Sequence, residues 1–561
     1  MTDHAATLAR ARIACETRKC WSPYPEMPKL YPGFEQADRE GKAAFTAQLG
    51  QRFALDLPGV TGWIGEELSP YTQAPLGITY PQADPDALFT AAKAAVPAWA
   101  AAPIDTRLML LMEALDRLYR DHLFTIVQAV MHTAGQSYNM AYAGSGANAL
   151  DRGIEALVYA EQAMRAVTPK AQWARRFGRS DIALEKTYRI VPRGVAVCFT
   201  CASFATWNAW PSMLASLATG NAVIVKPHPA SVLPMALTVR VLRDLLTEQG
   251  FDPNLVTLCL DTVSEPLGKA LIKHKDCAIV DFTGSAQFGA WVEANAHPAL
   301  AFTETSGCNT VVIAGAEDLD AAIRALATTM CMFSAQMCTS PQNIYLPPEI
   351  DTPEGPVPRA TVASKLAGAI RTLTEDPRRA SMILAAVQSS QSLALIDQIR
   401  NAAAARGEVL LDSRPYDHPE FPQARTATPL LVRLGKDARD LYAEERFGPI
   451  GFVIDCDSAE DALHQATTDA RAHGGITGFL YARDEGFIAR AEDAYAQAGA
   501  QLTINLTGAM PLNFAAAYSD YHVTGLNGAG NATLTTLGFV APRFAVAQSR
   551  RPIAKTREAA E

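Results

Sequence analysis

The residues of this chain most suited to chemistry are a cysteine among small and polar neighbours and a glutamate upstream of it. Cys338 stands in SAQMCTSP, residues 334–341, and Glu304 stands in ETSG about one supersecondary unit earlier. A thiolate attacks carbonyl carbons, and a carboxylate takes protons from a thiol or from water. The pair therefore predicts an enzyme with a covalent intermediate, although a cysteine taken alone is more often a buried apolar residue.

A glycine turn at 281–289, DFTGSAQFG, follows a short apolar run and precedes a helix-like segment. Gly284 and Ser285 would stand at the helix start, where free backbone amides and the helix dipole bind phosphate. Lys226 leaves a neighbouring apolar run, and in open α/β sheets ligands collect at that edge. These features favour a phosphate-bearing ligand, although Gly-Ser at a helix start more often only caps the helix.

Two more side chains suit acyl chemistry. Asn208, before a predicted helix at 212–219, carries an amide that can stabilise an oxyanion, although an asparagine there also suits a turn or a cap. Glu304 follows the apolar segment 299–302, so partial burial would raise its pKa toward neutral pH; its ordinary interpretation is a neighbour of a helix cap. Glu445, in EERFGP, stands in a turn of a kind that is usually a solvated loop.

Positioning these residues requires an α/β fold. Roughly the first 165 residues have helical apolar spacing, notably in 84–101 and 105–134. From residue 188 onward, short β-branched runs alternate with helix-length segments, as in buried parallel strands joined by crossover helices. The predicted strands include 195–198, 222–225, 256–260, 278–281, 309–313, 342–346, 451–454 and 478–481. We therefore predict a doubly wound α/β domain and a second α/β unit that contains Cys338.

Composition limits the partners. The 561 residues are 49% hydrophobic and 19% charged, with a net charge of −9. These values describe a globular chain of two or three structural domains with no electrostatic preference for nucleic acid or an anionic membrane. The N-terminus has no basic-then-apolar leader, and no segment reaches about 18 uninterrupted apolar residues. We expect a cytoplasmic enzyme with a small-molecule substrate.

Ten cysteines are scattered through the chain without the spacing of a disulfide scaffold. Most of them are expected to be reduced and buried. Cys198 and Cys201 have the CxxC spacing of a redox or metal pair, but no second CxxC or nearby histidine pair completes a zinc site. No metal centre is predicted.

Taken in order, these motifs resemble the aldehyde dehydrogenase superfamily across nearly the whole chain. That family carries an oxyanion asparagine, a KP strand end, FTGSxxxG, an ExxG base motif, GQxC and ExFGP. The matching residues here are Trp207-Asn208, Lys226-Pro227, 282–285 with Gly289, Glu304 with Gly307, 336–339 and 445–449. All six occur in the family's order, which is far more specific than any one of them.

The resemblance implies roles for three catalytic residues. Cys338 would attack an aldehyde carbonyl to give a thiohemiacetal, and the Asn208 amide and the Cys338 backbone N–H would hold its oxyanion. Hydride would pass to a nicotinamide cofactor, and Glu304 would then activate water to hydrolyse the thioester.

The resemblance also implies a cofactor cleft. Lys226 and Glu445 would bind ribose hydroxyls, Ser285 would bind the pyrophosphate, and Trp207 and Phe447 would border the cleft. Further positions expected at the cofactor are His228, Pro229, Thr283, Gly284 and Gly289.

One departure from the family pattern bears on the choice of cofactor. The position three after Lys226, often a glutamate that holds the adenosine ribose in NAD-preferring members, is Pro229 here. Without that carboxylate a 2′-phosphate is not repelled, while Lys226 and His228 supply positive or donor groups. We predict NADP as the preferred cofactor and NAD as the alternative.

Within the superfamily the chain looks like the branch called phenylacetic acid degradation protein PaaN. The residues that carry this likeness are WSPYPE at 21–26, a long loop at 193–208 and the segment 218–229. The likeness implies an aldehyde from aromatic-acid catabolism, including semialdehydes carried on coenzyme A.

The family architecture implies three parts and a homodimer or homotetramer. Residues 181–191 have the alternation of an exposed hairpin, and 544–547 suit a late strand. The expected parts are a cofactor-binding domain at 1–178 and 195–303, a catalytic domain at 304–530 and a small β oligomerisation element at 179–194 and 531–561.

Two alternatives remain open. In a coenzyme A-acylating dehydrogenase a thiol instead of water resolves the thioester, and such enzymes generally lack the base that Glu304 supplies. A catalytically inactive member acting as a binding or structural protein would keep the fold alone.

Overall fold

The computed structural model describes residues 3–305, 307–508 and 522–553. The α-helices of the first part are α1 (His4–Thr17), α2 (Phe34–Gln48), α3 (Pro85–Ala101), α4 (Ile104–Arg117), α5 (Leu123–Ala134), α6 (Tyr138–Tyr142), α7 (Ala149–Arg165), α8 (Ala205–Ala218), α9 (Leu233–Glu248), α10 (Gly268–Lys273) and α11 (Ala286–Asn295). Those that follow are α12 (Leu319–Cys331), α13 (Arg359–Thr374), α14 (Pro377–Ile383), α15 (Ser390–Ala404), α16 (Arg439–Tyr442), α17 (Ala459–His473), α18 (Glu485–Ala498) and α19 (Leu537–Val540).

Within the described ranges, the strands form two large sheets and three small ones. The first strands are β1 (Val60–Ile64), β2 (Tyr80–Ala83), β3 (Lys170–Phe177), β4 (Ser180–Pro192), β5 (Val195–Phe199), β6 (Ala222–Lys226), β7 (Val256–Leu258), β8 (Cys277–Thr283) and β9 (Leu300–Glu304). The later strands are β10 (Asn309–Ile313), β11 (Pro341–Leu346), β12 (Glu349–Ile350), β13 (Val357–Pro358), β14 (Gly407–Leu411), β15 (Leu430–Gly435), β16 (Ile450–Asp455), β17 (Thr477–Tyr481), β18 (Gln501–Ile504) and β19 (Phe544–Pro552).

The first large sheet is parallel and has the strand order β7-β6-β5-β8-β9. Strands β5 and β6 read VAVCF and AVIVK, and every residue except the final lysine is buried. Runs of this kind need cover on both faces, and helices such as α8 and α9 provide the crossovers between them. The doubly wound domain predicted from the sequence is confirmed, and Lys226 and Thr283 end their strands at its carboxyl edge.

The second large sheet has the order β14-β15-β16-β11-β10-β17-β18 and is parallel except where β14 pairs with β15. Cys338 lies in the loop between α12 and β11, inside this predicted second α/β unit. Glu304 ends β9 of the first sheet, and Asn309 begins β10 of the second. The chain therefore passes from one sheet to the other within a few residues of the predicted base.

The N-terminal part is largely helical, as predicted, and contains α1 to α7. It also contains the antiparallel pair β1 and β2, which the sequence reasoning did not identify. The two strands are five and four residues long and carry glycine and proline, so they lack a readable period-two pattern.

Ser22 of the WSPYPE loop donates a hydrogen bond to Asp151 of α7 at 2.8 Å.

Three antiparallel strands form a sheet with the order β19-β4-β3. The predicted hairpin at 181–191 was wrong in extent: those residues form one strand, β4, and its partner arm β3 begins at Lys170. The arm was missed because KAQWARRF is exposed along nearly its whole length and carries no apolar alternation. The predicted late strand is confirmed as β19 and continues to Pro552.

Among the described residues, no single helix has the length and apolar character needed to cross a membrane, although α3 and the run Ile104–Ala134, which meet at 119°, pass that test as a pair.

Candidate active site

The loop that carries Cys338 begins with an unusual backbone turn. After α12 ends, Phe333, Ser334 and Ala335 all have left-handed φ angles of 48°, 51° and 52°. Each such non-glycine residue costs about 1–3 kcal/mol and persists only where its surroundings fix it. Ser334 Oγ donates to the Leu384 carbonyl at 2.9 Å, which provides one such constraint. The turn leaves Cys338 half-buried at the floor of a cleft.

Two buried amide side chains hold the same loop in place. Gln336 donates through Nε2 to the Ala386 carbonyl at 3.0 Å and accepts from the Gln388 N–H at 2.9 Å. Asn309 donates through Nδ2 to the Cys338 carbonyl at 2.8 Å. The sequence reasoning did not single out Asn309, because a buried asparagine at a strand start has no local signature of its target.

Glu304 lies directly beside the cysteine. Its side chain is fully buried at the end of β9, and its Oε1 lies 3.5 Å from Cys338 Sγ. Burial raises the pKa of Glu304 to about 7, against smaller lowering effects from hydrogen bonds with Cys338 and Asn208. A carboxylate with a pKa near neutrality is suited to accept protons at physiological pH.

Asn208 reaches the same carboxylate. Its Nδ2 donates to Glu304 Oε1 at 3.2 Å. The sequence placed Asn208 before a helix at 212–219, but α8 already begins at Ala205, so Asn208 stands in its first turn. Phe204, with φ −132° and ψ 55°, is the non-helical residue that precedes the helix. Asn208, Glu304 and Cys338, predicted as a set, are therefore in one cluster.

Gly307 allows the segment after Glu304 to approach the loop that carries Cys338. A Cβ added at Gly307 would lie 1.6 Å from the Cys338 carbonyl oxygen, so no other residue fits there. The Gly307 N–H donates to Glu445 Oε1 at 2.9 Å. Burial raises the pKa of Glu445 to about 7, while this hydrogen bond lowers it.

Most of the predicted cofactor residues line the same cleft as Cys338 and Asn208. The cleft has a volume of about 510 Å³. The predicted residues along it are Trp207, His228, Thr283, Gly284, Ser285, Glu445 and Phe447. Ser285 caps α11 by accepting from the Phe288 N–H at 3.4 Å, so the ten-residue helix directs its N-terminus toward this cleft. A glycine, a capped helix start and a long cleft suit the pyrophosphate of a dinucleotide.

Three predicted cofactor residues lie away from the cleft lining. Gly289 is buried, and a Cβ there would lie 2.1 Å from Thr305 Cγ2, so its glycine permits α11 to pack on the segment after Glu304. Lys226 forms an ion pair with Asp261, with Nζ 2.5 Å from Oδ1. Pro229 is half-buried beyond the end of β6. Asp261, which follows β7 at the same sheet edge, was not identified from the sequence.

The CxxC pair is divided between the core and the site. Cys198 is buried in β5, whereas Cys201 lines the cleft and lies 3.5 Å from Asn208 Oδ1 through its Sγ. Every cysteine of the described residues has a free thiol.

His522 is a further side chain of the cluster that the sequence reasoning missed. It is 5% exposed, and its Nε2 lies 3.9 Å from Cys338 Sγ. Its ring packs edge-on against Trp207, with centroids 4.7 Å apart. Burial, and to a smaller extent the charge of Arg152, lowers the pKa of His522 to about 3, so the ring is neutral. Its position, 184 residues from Cys338, gave no local signal.

The likeness seen in the motifs is supported by comparison with known proteins. Residues 65–510 match the aldehyde dehydrogenase family. The chain belongs to the aldehyde dehydrogenase family, as its motifs predicted.

Solved and curated relatives agree with this. An NAD-dependent aldehyde dehydrogenase from Burkholderia multivorans is 43% identical, with 99% of each chain covered and a TM-score of 0.94. Vanillin dehydrogenase from Pseudomonas fluorescens is 27% identical over 72% of this chain and 78% of its own length. 2-Aminomuconic semialdehyde dehydrogenase from Danio rerio is 25% identical over 51% of this chain. The matched part covers 56% of the length of that relative.

Proposed function

We propose that this protein oxidises an aldehyde to a carboxylic acid with NAD(P) as hydride acceptor, through a thiohemiacetal and a thioester on Cys338. The observation that carries the proposal is the cluster of Cys338, Glu304 and Asn208 at one end of a cleft that suits a dinucleotide. Each residue needed for acyl chemistry is within hydrogen-bonding reach of another.

The first half of the reaction follows from these contacts. Glu304 takes the thiol proton of Cys338, and the sulfur attacks the aldehyde carbon. The carbonyl oxygen becomes an oxyanion that the Asn208 amide and the Cys338 N–H stabilise. The nicotinamide ring of the bound cofactor supplies the hydride acceptor.

The second half needs a base beside the thioester. After releasing the thiol proton to solvent, Glu304 deprotonates a water that attacks the thioester carbon. The C–S bond breaks, the acid leaves, and the sulfur returns as a thiolate. A pKa near 7 suits Glu304 to both proton transfers.

The side chains that line the cleft favour one class of aldehyde substrate. Its wall near Cys338 carries the apolar side chains Met140, Phe204 and Met337. Among the described residues that line it there is no lysine or arginine to pair with a substrate carboxylate. The site therefore suits an aldehyde from aromatic-acid catabolism that carries no charge near its carbonyl group. This agrees with the proposed membership of the PaaN branch and with phenylacetate catabolism. An aldehyde carried on coenzyme A is the alternative.

Two observations support opposite cofactor preferences. The absence of a carboxylate at Pro229 supports NADP. The Asp261 carboxylate, paired with Lys226 at the adjacent strand end, neutralises that lysine and supports NAD because it would repel a 2′-phosphate. We favour NAD on this ground, and a direct comparison of the two cofactors decides it.

We also propose the domain division, the oligomeric state and the cellular location that the sequence led us to expect. The cofactor-binding domain, catalytic domain and oligomerisation element are proposed with the predicted limits except at one boundary: β3, which pairs with β4, is moved from the first part to the third. Exposed Trp173 and Phe177 on β3, and Val546 on β19, support a homodimer or homotetramer through this sheet. The protein is proposed to act in the cytoplasm.

An aldehyde panel with product analysis tests the proposal. Aromatic, aliphatic and coenzyme A-linked aldehydes are offered with NAD or NADP, with and without free coenzyme A. Reduced cofactor and free acid support the proposal. Acyl-coenzyme A formed only with added coenzyme A indicates the acylating alternative, and cofactor binding without reduction across the panel indicates an inactive binding protein.

A further inference from the structure

His522 touches the reacting sulfur but has no part in the proposed reaction as derived above. It lies 184 residues from Cys338 in the chain and approaches the cluster from the side of Trp207. Its two ring nitrogens face different members of the pair: Nε2 lies 3.9 Å from Cys338 Sγ, and Nδ1 lies 3.9 Å from Glu304 Oε1.

The ring nitrogen that faces Glu304 is unpaired. His522 Nδ1 is buried and has no hydrogen-bond partner among the residues that the structure describes. An unpaired buried polar atom of this kind destabilises the resting state, and a partner gained at a later stage of the reaction would recover that cost. Glu304, whose Oε1 lies 3.9 Å away, is a group able to become that partner.

A neutral imidazole has one N–H and one lone pair, so it can serve one donor and one acceptor at the same time. With its hydrogen on Nε2, His522 donates to sulfur and accepts at Nδ1. In the resting pair the Cys338 thiol donates to Glu304, Nε2 has only its 3.9 Å contact with the sulfur, and Nδ1 has no partner among the described residues. After the S–H bond breaks and an O–H bond forms on Glu304, both functions have a partner: the thiolate keeps the electron pair and accepts from Nε2–H, and the new carboxylic acid donates to Nδ1.

We propose that His522 is a further catalytic residue that stabilises the thiolate of Cys338 and the protonated form of Glu304 together. This inference rests on the proposed function, because it assigns a step of that reaction to a residue outside the family's motifs. The proton moves only from sulfur to oxygen, so the step needs no oxidant or other co-reactant.

Burial and the acidic groups around Cys338 oppose formation of its thiolate, so an additional hydrogen-bond donor is needed there. Glu304, Glu445 and Cys201 raise the pKa of the Cys338 thiol in addition to burial, which is the largest cause. Arg152 is the cation that acts on both Glu304 and His522, and its guanidinium lies over the Trp207 ring, 4.8 Å from the centroid. A hydrogen bond to the thiolate from a neutral donor opposes the effects of burial and of Glu445 without introducing a buried charge.

The test measures thiolate formation directly, without aldehyde. The full-length protein is alkylated with iodoacetamide from pH 6 to 10, and modification of Cys338 is followed by mass spectrometry of its peptide. Two variants are compared with the wild type: His522→Phe, which keeps the ring against Trp207 but removes both polar functions, and His522→Gln, which retains one donor and one acceptor. His464→Gln, an exposed histidine on α17, is the matched control.

We expect His522→Phe to raise the apparent pKa of alkylation by about one unit, so that the rate below that pKa falls about tenfold. His522→Gln should recover part of the loss, and His464→Gln should behave as the wild type. If His522→Phe does not fold, His522→Ala with and without added imidazole replaces it, and imidazole should restore the rate.

Equal alkylation profiles in the wild type and both His522 variants, or no recovery by imidazole in His522→Ala, would overturn the proposal. Because no aldehyde or cofactor is used, the outcome is separate from that of the proposed function. An unreactive aldehyde panel together with a shifted alkylation profile would remove the proposed function and leave the thiolate role of His522.

Discussion

The Oε1 atom of Glu304 lies 3.5 Å from the Sγ atom of Cys338, although one residue lies in the first sheet and the other in a loop leading to the second. Glu304 ends the edge strand β9 of the first sheet, and Cys338 precedes β11 of the second. Gly307, which passes against the Cys338 carbonyl, permits this approach. The reacting pair therefore exists only when the two sheets are assembled.

The pH dependence of thioester hydrolysis follows from Glu304. Burial raises its pKa from 4.5 to about 7, so the carboxylate that acts as base is mainly present above pH 7. Hydrolysis of the acyl-enzyme should rise about tenfold from pH 6 to pH 7.5 and then level off, as quenched single-turnover experiments would show. A rate already at its plateau at pH 5.5 would mean that Glu304 titrates normally or is not the base.

Substitution at Gly307 should separate the two loops. Gly307→Ala places a methyl group 1.6 Å from the Cys338 carbonyl, so the loop must shift by an ångström or more. We expect a loss of about 100-fold in kcat/KM, because displacements of about 1 Å have such effects, and a melting temperature lower by a few degrees. Gly368→Ala in α13, where a Cβ meets nothing within 4 Å, is the control and should keep full activity. Full activity in Gly307→Ala would refute the close packing described for these loops.

Cofactor choice should respond to Asp261. Asp261→Asn removes a negative charge and releases Lys226, so the ratio of kcat/KM for NADP to that for NAD should rise about tenfold, or about 1.4 kcal/mol. Steady-state kinetics with both cofactors measure the ratio. The exposed carboxylate Asp437, changed to Asn, should leave it unaltered. A ratio unchanged by Asp261→Asn would show that this carboxylate does not face the adenosine end.

Much of the fold could be predicted from the sequence because the buried strands are β-branched runs with a strong local signal. Strands such as β5 and β10 were located to within one residue. The exposed arm β3 and the short pair β1 and β2 were missed, since neither carries apolar alternation over enough residues.

The residues of the candidate site likewise fall into a set that the sequence predicts and a set that it does not. Cys338, Glu304 and Asn208 stand in short motifs whose order is recognisable, so the sequence identified them. His522, Asp261 and Asn309 act through contacts with residues far away in the chain, and a lone histidine, aspartate or asparagine has no local pattern. Only the packed structure brings His522 and Asn309 to the cluster and Asp261 to Lys226.

Removal of the nucleophile should stop the reaction without affecting cofactor binding. Cys338→Ala should lower kcat by about four orders of magnitude or more, because no other group replaces the thiolate. Fluorescence titration with the reduced cofactor should give an unchanged Kd. The matched variant Cys20→Ala, at an exposed cysteine, should be fully active. Retained turnover in Cys338→Ala would require a different nucleophile.

The central claim, a thioester on Cys338 that Glu304 hydrolyses, is tested most directly by intact-protein and peptide mass spectrometry of Glu304→Gln after a single turnover. The amide cannot act as a base in either step. Solvent base can still take the thiol proton, so the thioester forms more slowly, whereas its hydrolysis loses a general base worth about 10²–10⁴-fold, so the acyl-enzyme should accumulate. Glu265→Gln, at an exposed carboxylate, is the control and should show no adduct. We predict one equivalent of reduced cofactor and the acyl mass on the Cys338 peptide. An unmodified Cys338 with free acid released at the wild-type rate would contradict the account.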